Sequence, residues 1–292
     1  VALLARAPIV ETDGEDHLSH TDFAKISALI GSEAGIRLPP AKRLMVEGRL
    51  RRRLRALQIE TFDSYCDYVF RRDGLKAELP FLINVVTTNK TDFFREPEHF
   101  ELMRSRMVPE LLAARDGERN PVLKIWSAAS STGAEAFTCA MVLADMAKAQ
   151  RNFRFSILGT DISTDVLDHG RRAVYPAEQI VPVPQSMQAQ YLMWSRKAGL
   201  RPDVRIVPEL RRLVQFHRLN LMDEKYPFDR DVDIILLRNV LIYFDKADQA
   251  KVISRLVGHL RPGGYLLLGH SESMIGTSIP VRQVAPAVFQ RV

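Results

Sequence analysis

The stretch that most constrains this chain runs Val122-Leu-Lys-Ile-Trp-Ser-Ala-Ala-Ser-Ser-Thr-Gly-Ala-Glu135. Its apolar opening, Val122 to Trp126, reads as a buried strand. Small residues fill the next seven positions, and a helical pattern begins at Glu135. A strand, a small-residue turn and a helix bring a nucleotide-like ligand against backbone, because no bulky side chain intervenes and the helix N-terminus favours polar or anionic groups. The stretch lacks G-x-G-x-x-G, and no lysine follows Gly133 as a phosphate-binding P-loop requires. A plain strand-to-helix crossover has the same look, so the stretch speaks to fold before function.

What surrounds it extends the reading. After Asn120-Pro121 strand and helix patterns alternate, the signature of a doubly wound parallel sheet. Strands are expected at 122–127, 155–159, 213–218, 233–237 and 265–268, with helices at 135–149, 164–173 and 245–260. Residues 281–292 suit one or two closing antiparallel strands. The proline-rich stretch 174–212 reads as a small inserted subdomain, since Tyr191, Leu192, Met193 and Trp194 need burial.

Before Pro121 the pattern is helical. Thr21 is expected to cap a helix bearing Phe23, Ile26, Leu29 and Ile30, and Thr61 one bearing Phe62, Tyr65 and Val69. Between them Val46, Leu50, Leu54 and Leu57 form a narrow apolar stripe, and Leu79, Leu82, Ile83 and Val86 mark a fourth helix. The polar connector 87–96 leads to Pro97 and a helix through Phe100, Met103 and Met107. The expected domains are therefore a mobile tail at 1–20, an all-helical unit with linker at 21–96, and an α/β unit at 97–292.

With 292 residues, 46% hydrophobic and 26% charged, the chain is ordinary for a globular protein. No apolar run approaches the ~20 residues that span a bilayer, and no secretory pattern opens the sequence as given. Cys66 and Cys139 lie far apart in helical patterns, so neither a disulfide framework nor a metal cluster is indicated, and a cytoplasmic protein is expected. The net charge of +6 suits an acidic partner. Much of it sits between Lys42 and Arg55, where seven cations, among them Arg49, Arg51, Arg52, Arg53 and Arg55, face one acid, Glu47.

Open α/β sheets bind ligands beyond the carboxyl ends of their strands. There this chain offers Glu135, Asp161, Asn220-Leu221 and Arg238-Asn239. Asp161, at the end of the second strand, suits a pair of ribose hydroxyls, since an ionised carboxylate only accepts hydrogen bonds. Leu260-Arg-Pro-Gly-Gly264 before an apolar strand is frequent in S-adenosylmethionine-dependent methyltransferases. Each feature also has a bland reading, as a helix cap or a turn.

Four longer stretches carry a specific resemblance. They are Thr87-Thr-Asn-Lys-Thr-Asp-Phe-Phe-Arg-Glu96, Trp126-Ser-Ala-Ala-Ser-Ser-Thr-Gly133, Arg238-Asn-Val-Leu-Ile-Tyr-Phe-Asp245 and Gly269-His-Ser-Glu-Ser273. Together they resemble the signatures of the bacterial chemotaxis receptor methyltransferases, the CheR family, over nearly the whole chain from about residue 21. The resemblance implies a Rossmann-like methyltransferase domain behind a helical receptor-recognition domain. It implies S-adenosylmethionine as methyl donor, receptor glutamates as acceptors, and glutamate γ-methyl esters and S-adenosylhomocysteine as products.

It further assigns cofactor contacts to Asn89, Thr91, Arg95, Glu135, Asp161, Asn220, Leu221, Arg238 and Asn239. Arg95 would orient the incoming carboxylate or hold the cofactor's own, and Tyr243 would line the methyl pocket. Against these stand a helix-capping Arg95 and a core Tyr243. The chain departs from the family at Ala134 and Ala136, where an acid and a proline are usual. His217, His259 and His270 are expected to be structural, and no metal is expected.

A glutamate carboxylate is ionised at pH 7 and is itself a nucleophile, so the chemistry needs no general base. A dry site that aligns oxygen, methyl carbon and sulfur serves it best. The arginine-rich helix suits the acidic helical methylation region of a receptor. The insertion resembles the family's small β-subdomain, which in some members binds a tethering peptide from the receptor C-terminus; the residues are compatible with either case here. A monomer without membrane insertion is expected. A nucleic-acid methyltransferase competes poorly, because the fourth strand lacks the Asn/Asp-Pro-Pro-aromatic element and neither cysteine suits C5 methylation. A cofactor-binding regulator without turnover is the remaining alternative, suggested by Ala134 and Ala136.

Overall fold

The computed structural model describes residues 16–150, 153–195, 203–272, 274 and 279–292. Four helices come first: α1 (His20–Ala34), α2 (Arg43–Leu57), α3 (Phe62–Arg71) and α4 (Leu75–Val86). Their apolar stripes close on one core containing Ile26, Ile30, Val46, Leu50, Phe62, Tyr65 and Leu82. Full burial of such side chains is worth about 1.5–3 kcal/mol each, which makes this seam the main source of the bundle's stability.

Local signals fix the ends. Thr61 caps α3 by accepting the Ser64 N–H. Ser19, and not the expected Thr21, caps α1 by accepting the Asp22 N–H at 3.0 Å. Both hydroxyls can cap, and the start two residues earlier goes with Leu18 fully buried in the bundle. The expected mobile tail lies outside the described residues as far as 15. From Asp16 to His20 the chain is packed down instead: the Asp16 carboxylate accepts the Phe62 N–H, and Glu47 accepts the Leu18 N–H.

After the connector, α5 (Glu98–Leu102) passes through a π turn at Met103–Met107 into α6 (Val108–Ala113). Next come β1 (Val122–Ala128), α7 (Ala134–Gln150), β2 (Arg154–Asp161) and α8 (Thr164–Arg172). The insertion follows as β3 (Val174–Pro176), α9 (Ala177–Ile180), α10 (Gln185–Tyr191), β4 (Leu192–Trp194), β5 (Asp203–Ile206) and α11 (Pro208–Arg211). The chain then returns through β6 (Val214–Arg218), β7 (Val232–Leu237), α12 (Lys246–His259), β8 (Leu260–Leu268), β9 (Val281–Ala285) and β10 (Val288–Arg291).

The main sheet has the order β6-β2-β1-β7-β8-β10-β9, parallel from β6 to β8 and antiparallel beyond. The insertion forms its own antiparallel sheet, β3-β5-β4. Both faces of the main sheet are covered, so its central strands read as unbroken apolar runs. Ile125, Ile234 and Leu236 face a core shared with Phe137 and Met141 of α7. Trp126, Ile235 and Leu237 face one shared with Val252 and Leu256 of α12.

Register sets the position of the site. Ala128 pairs with Thr160 and Leu237, Leu237 with Leu268, and Asp161 with Arg218. The carboxyl ends of five strands therefore come level, and the loops leaving them share one edge. The helical bundle abuts this edge: Gly35 ends α1 with a φ of 68°, and a Cβ there would meet the Phe244 ring at 2.7 Å. Among the described residues no helix is long and apolar enough to cross a membrane.

Candidate active site

The edge opens into a cleft between the bundle and the sheet. Asn89, Thr91, Arg95, Glu135, Asp161, Asn220, Leu221, Arg238, Asn239 and Tyr243 all line it. Ala34 and Ile36 supply the bundle's side of the wall.

The floor is the turn after β1. Ala129, Ser131 and Gly133 take left-handed φ values of 60°, 50° and 89°. Only glycine does so without strain, so the two other residues need external anchors. Asp161 is one: its carboxylate accepts the Ser131 N–H at 2.9 Å and the Ser163 N–H at 3.0 Å. Burial raises its pKa, against the pull of these N–H groups and that of Ile162. With about four acceptor positions on a carboxylate, capacity for a ligand remains. Ser131 Oγ also donates to the Asn89 carbonyl at 2.9 Å, which ties the connector to the turn.

Arg238 organises the centre. Its side chain is 2% exposed and bridges two acids, donating to Glu135 Oε2 and Glu96 Oε2 at 3.0 Å each. It also donates to the Arg95 carbonyl, which fixes the connector's end. Glu135 is held from its other oxygen by Ser127 Oγ at 2.7 Å. Burial works to raise the pKa of Glu96, but Arg238, Asn239 and the His270 N–H outweigh it and hold the carboxyl below its usual range. Nε of Arg238 is buried and has no hydrogen-bond partner among the described residues.

The loop after β7 is anchored from outside as well. Asn239 sits at a φ of 59°. The Glu272 carboxylate accepts the N–H groups of Asn239, Leu241 and Gly269 at 3.0, 2.7 and 2.7 Å. Burial raises the pKa of Glu272, while these N–H groups and that of Val240 pull it down. Gly269 is required here, since a Cβ would lie 2.5 Å from the Asn239 amide nitrogen.

The remaining lining residues are less tightly held. Arg95 is half-buried and makes only a long bond, 3.4 Å, to the Lys90 carbonyl. Tyr243 is half-buried with Lys42 over its ring at 5.3 Å. Asn220 donates to the Glu33 carbonyl at 2.6 Å, joining sheet edge to bundle.

The five arginines of α2 expected to meet a receptor divide by what they bond. Arg53 donates to both oxygens of the buried Glu78 at 2.9 and 2.6 Å and lies over the Phe81 ring. Arg51 bonds the Asp16 carbonyl and Glu47. Both charges are neutralised within the bundle. Arg49 is exposed while bonding the Val85 and Thr87 carbonyls at 2.7 and 2.8 Å. Arg52 and Arg55 are the exposed cations left over.

Sequence reasoning gave no role to Glu96, His99 and Glu272. Glu96 and Glu272 stand inside the quoted motifs, and that was their one signal. Ser273 of the last motif lies outside the described residues. His259 packs between Trp126 and Tyr226 and bonds the Asp229 carbonyl, and His217 packs on Phe228, both structural places.

The cleft's donor set matches S-adenosylmethionine in chemistry. Acids suit an ammonium group and a ribose diol, Arg95 and Asn89 suit a carboxylate, and Ile162 and Leu221 offer apolar walls for a base. The orphaned Nε of Arg238 is a further buried donor without a partner.

Comparison with known proteins points the same way. The family model described as CheR methyltransferase, all-alpha domain, matches residues 21–87, and that described as CheR methyltransferase, SAM binding domain, matches residues 89–288. A chemotaxis protein methyltransferase of Salmonella typhimurium is 38% identical over 258 residues, covering 88% of this chain and 85% of that protein. Chemotaxis protein methyltransferase 2 of Pseudomonas aeruginosa is 36% identical over 278 residues, covering 94% of each. A chemotaxis protein methyltransferase of Borreliella burgdorferi is 33% identical over 277 residues, covering 94% and 95%.

Proposed function

The chain belongs to the CheR methyltransferase family, and from that premise we propose that it methylates glutamate side chains of chemotaxis receptors at the cleft described above. Membership makes it an S-adenosylmethionine-dependent methyltransferase of chemotaxis. The finer reading concerns which group is methylated and by which residues.

The observation that carries it is the convergence of ten side chains on one cleft with no histidine or cysteine among them. Both cysteines are buried away from it, and burial pushes the Cys66 thiol up to about 12. Chemistry at such a site suits an acceptor that is already a nucleophile, as an ionised glutamate is at pH 7. The bound donor supplies an electrophilic sulfonium methyl.

The chain's own residues bind, orient and exclude water. Glu135, held by Arg238 and Ser127, presents a fixed negative edge to the donor's ammonium. Asp161, with its remaining acceptor positions, takes the ribose hydroxyls. Arg95, held only by a long bond to the Lys90 carbonyl, either steers the incoming carboxylate or holds the donor's. Tyr243, at the side where Lys42 approaches, lines the path to the methyl group. Fixing both reactants in a desolvated cleft is worth more here than proton transfer, because attack brings opposite charges together and neutralises them.

The receptor side is read from charge. Arg52 and Arg55, with Arg49 beside them, suit an acidic helix. We propose a cytoplasmic, monomeric enzyme, with the inserted sheet as the place for any receptor tether.

The test is transfer of tritium from labelled S-adenosylmethionine to membranes that contain chemoreceptors. The expected product releases its label as methanol in mild alkali, as a carboxyl ester does. Alkali-stable label, or label in nucleic acid, would overturn the reading. Cofactor binding without any transfer would favour the regulator instead.

A further inference from the structure

Three groups to which the proposed reaction gives no part meet beside Arg238. Glu96 ends the connector, His99 lies in the first turn of α5, and His270 follows β8. Glu96 Oε2 lies 3.6 Å from His99 Nδ1 and 4.0 Å from His270 Nε2, and the three ligand-type atoms fall within 4.8 Å of one another. The two imidazoles stand edge to face with centroids 5.1 Å apart.

His99 is the unusual member. Its side chain is 3% exposed. The Pro286 carbonyl favours a proton on the ring, yet neither ring nitrogen completes a hydrogen bond among the described residues. Leaving a buried polar group unpaired costs about 1–3 kcal/mol. With both nitrogens unpaired, the buried ring has a lone pair left for a ligand. Neutral imidazole is the form that binds metals. His270 is 47% exposed, so one ligand is free to rotate inward and the group is open to entry.

We propose that Glu96, His99 and His270 bind one divalent transition-metal ion of the imidazole-preferring class, Zn2+ or its Co2+ substitute, and that this ion competes with Arg238 for Glu96. Two imidazoles and one carboxylate, with a fourth position for water, are a zinc-type ligand set. Ligands about 2.0–2.2 Å from such an ion stand roughly 3.3 Å apart in a tetrahedron, so the side chains close by less than about 1.5 Å. Glu96 Oε2 is the oxygen that Arg238 now holds at 3.0 Å. An ion there draws it away and weakens the bracket between Glu96, Arg238 and Glu135. If that bracket serves the cofactor, as the proposed function has it, ion and cofactor weaken each other's binding by the same factor. This site departs from the sequence-based expectation of a chain without metal and of a structural His270.

The test uses the untagged full chain, titrated with Co2+ and followed by visible absorption, alongside His270→Ala. One equivalent of Co2+ is expected to give a d–d band, and His270→Ala to weaken binding at least tenfold. Calorimetry with S-adenosylhomocysteine should show a several-fold loss of affinity in the presence of Zn2+ for the wild type but not for His270→Ala. No cobalt band, or an unchanged one in His270→Ala, overturns the site. A band lost in His270→Ala with unaltered cofactor affinity keeps the ion site and overturns the competition. Failure of the metal-free chain to bind S-adenosylhomocysteine would count against the proposed function and leave the cobalt result intact.

Discussion

Strand β7 carries a buried acid–arginine group at each end, and the two are built differently. At its amino end Asp233, fully buried, accepts Arg115 Nη2 and the Lys124 N–H at 2.7 Å each and Arg261 Nη1 at 3.4 Å. An acid lies at the centre, and both of its oxygens are taken. At the carboxyl end the cation is central, with Glu96 and Glu135 on either side. That group is unfinished: Arg238 Nε and both nitrogens of His99 have no hydrogen-bond partner among the described residues. A saturated group at one end ties β7 to β1, to β8 and to the turn after α6. An unsaturated one at the other, opening on a cleft, has capacity left for a ligand.

The largest effect should come from Asp233→Ala, which strands two arginines and a backbone N–H in the interior. Breaking a buried pair in this way costs about 3–5 kcal/mol. Denaturant unfolding should show that loss, while the folded fraction binds S-adenosylhomocysteine as before. Arg238→Met should invert the pattern. It leaves two neighbouring acids without their shared cation, and a roughly 100-fold loss of cofactor affinity, about 2.7 kcal/mol, is expected with a smaller fall in stability. Equal behaviour of the two variants would erase the distinction between the ends of β7.

The helical bundle repeats the contrast on one helix. Arg53→Ala leaves the buried Glu78 without its cation, with the Tyr65 hydroxyl as its remaining donor, and should cost about 2 kcal/mol in thermal unfolding. Arg52→Ala touches nothing comparable and should change stability by no more than about 0.5 kcal/mol. Its effect should appear instead as a salt-sensitive fall in methyl transfer to receptor membranes. Ser19→Ala removes the cap of α1, with about 1 kcal/mol expected.

The smallest effect concerns pH. Burial works to raise the pKa of Glu47, but His17, the Leu18 N–H and Arg51 outweigh it and hold the carboxyl below its usual range. Its contribution is therefore present above the ordinary glutamate pKa and is lost as pH falls through the lowered value. Asp161 and Glu272, raised by burial, act in the opposite sense: their share is present at low pH and declines as pH rises through their raised values. Glu47→Gln should accordingly flatten the acid limb of the stability profile.

Much of the architecture is legible in the sequence, for local reasons. The strand ends were readable because apolar runs stop where small or polar residues begin, and a parallel sheet sends those ends to one edge. Thr61 announced its helix by hydroxyl and spacing. What stayed hidden is pairing across distance. Nothing in the periodicity of α2 tells that Arg53 spends its charge on Glu78, or that Arg52, one position earlier, does not. Glu96 meets Arg238, and His99 meets His270, only when residues more than a hundred positions apart are folded together, while Glu272 reaches back 33 and 31 positions to the N–H groups of Asn239 and Leu241. The sequence points to Thr21 as the cap of α1, whereas Ser19, two positions earlier, takes that place with Leu18 buried beside it.

The most direct measurement is the affinity of S-adenosylhomocysteine, by calorimetry, for the wild-type chain and for Arg238→Met, each first shown to be folded by circular dichroism. One equivalent bound by the wild type, and about 100-fold weaker binding by the variant, is the predicted result. Equal affinities would contradict the account, because the open group at the carboxyl end of β7 would then be no more than a second structural ion pair.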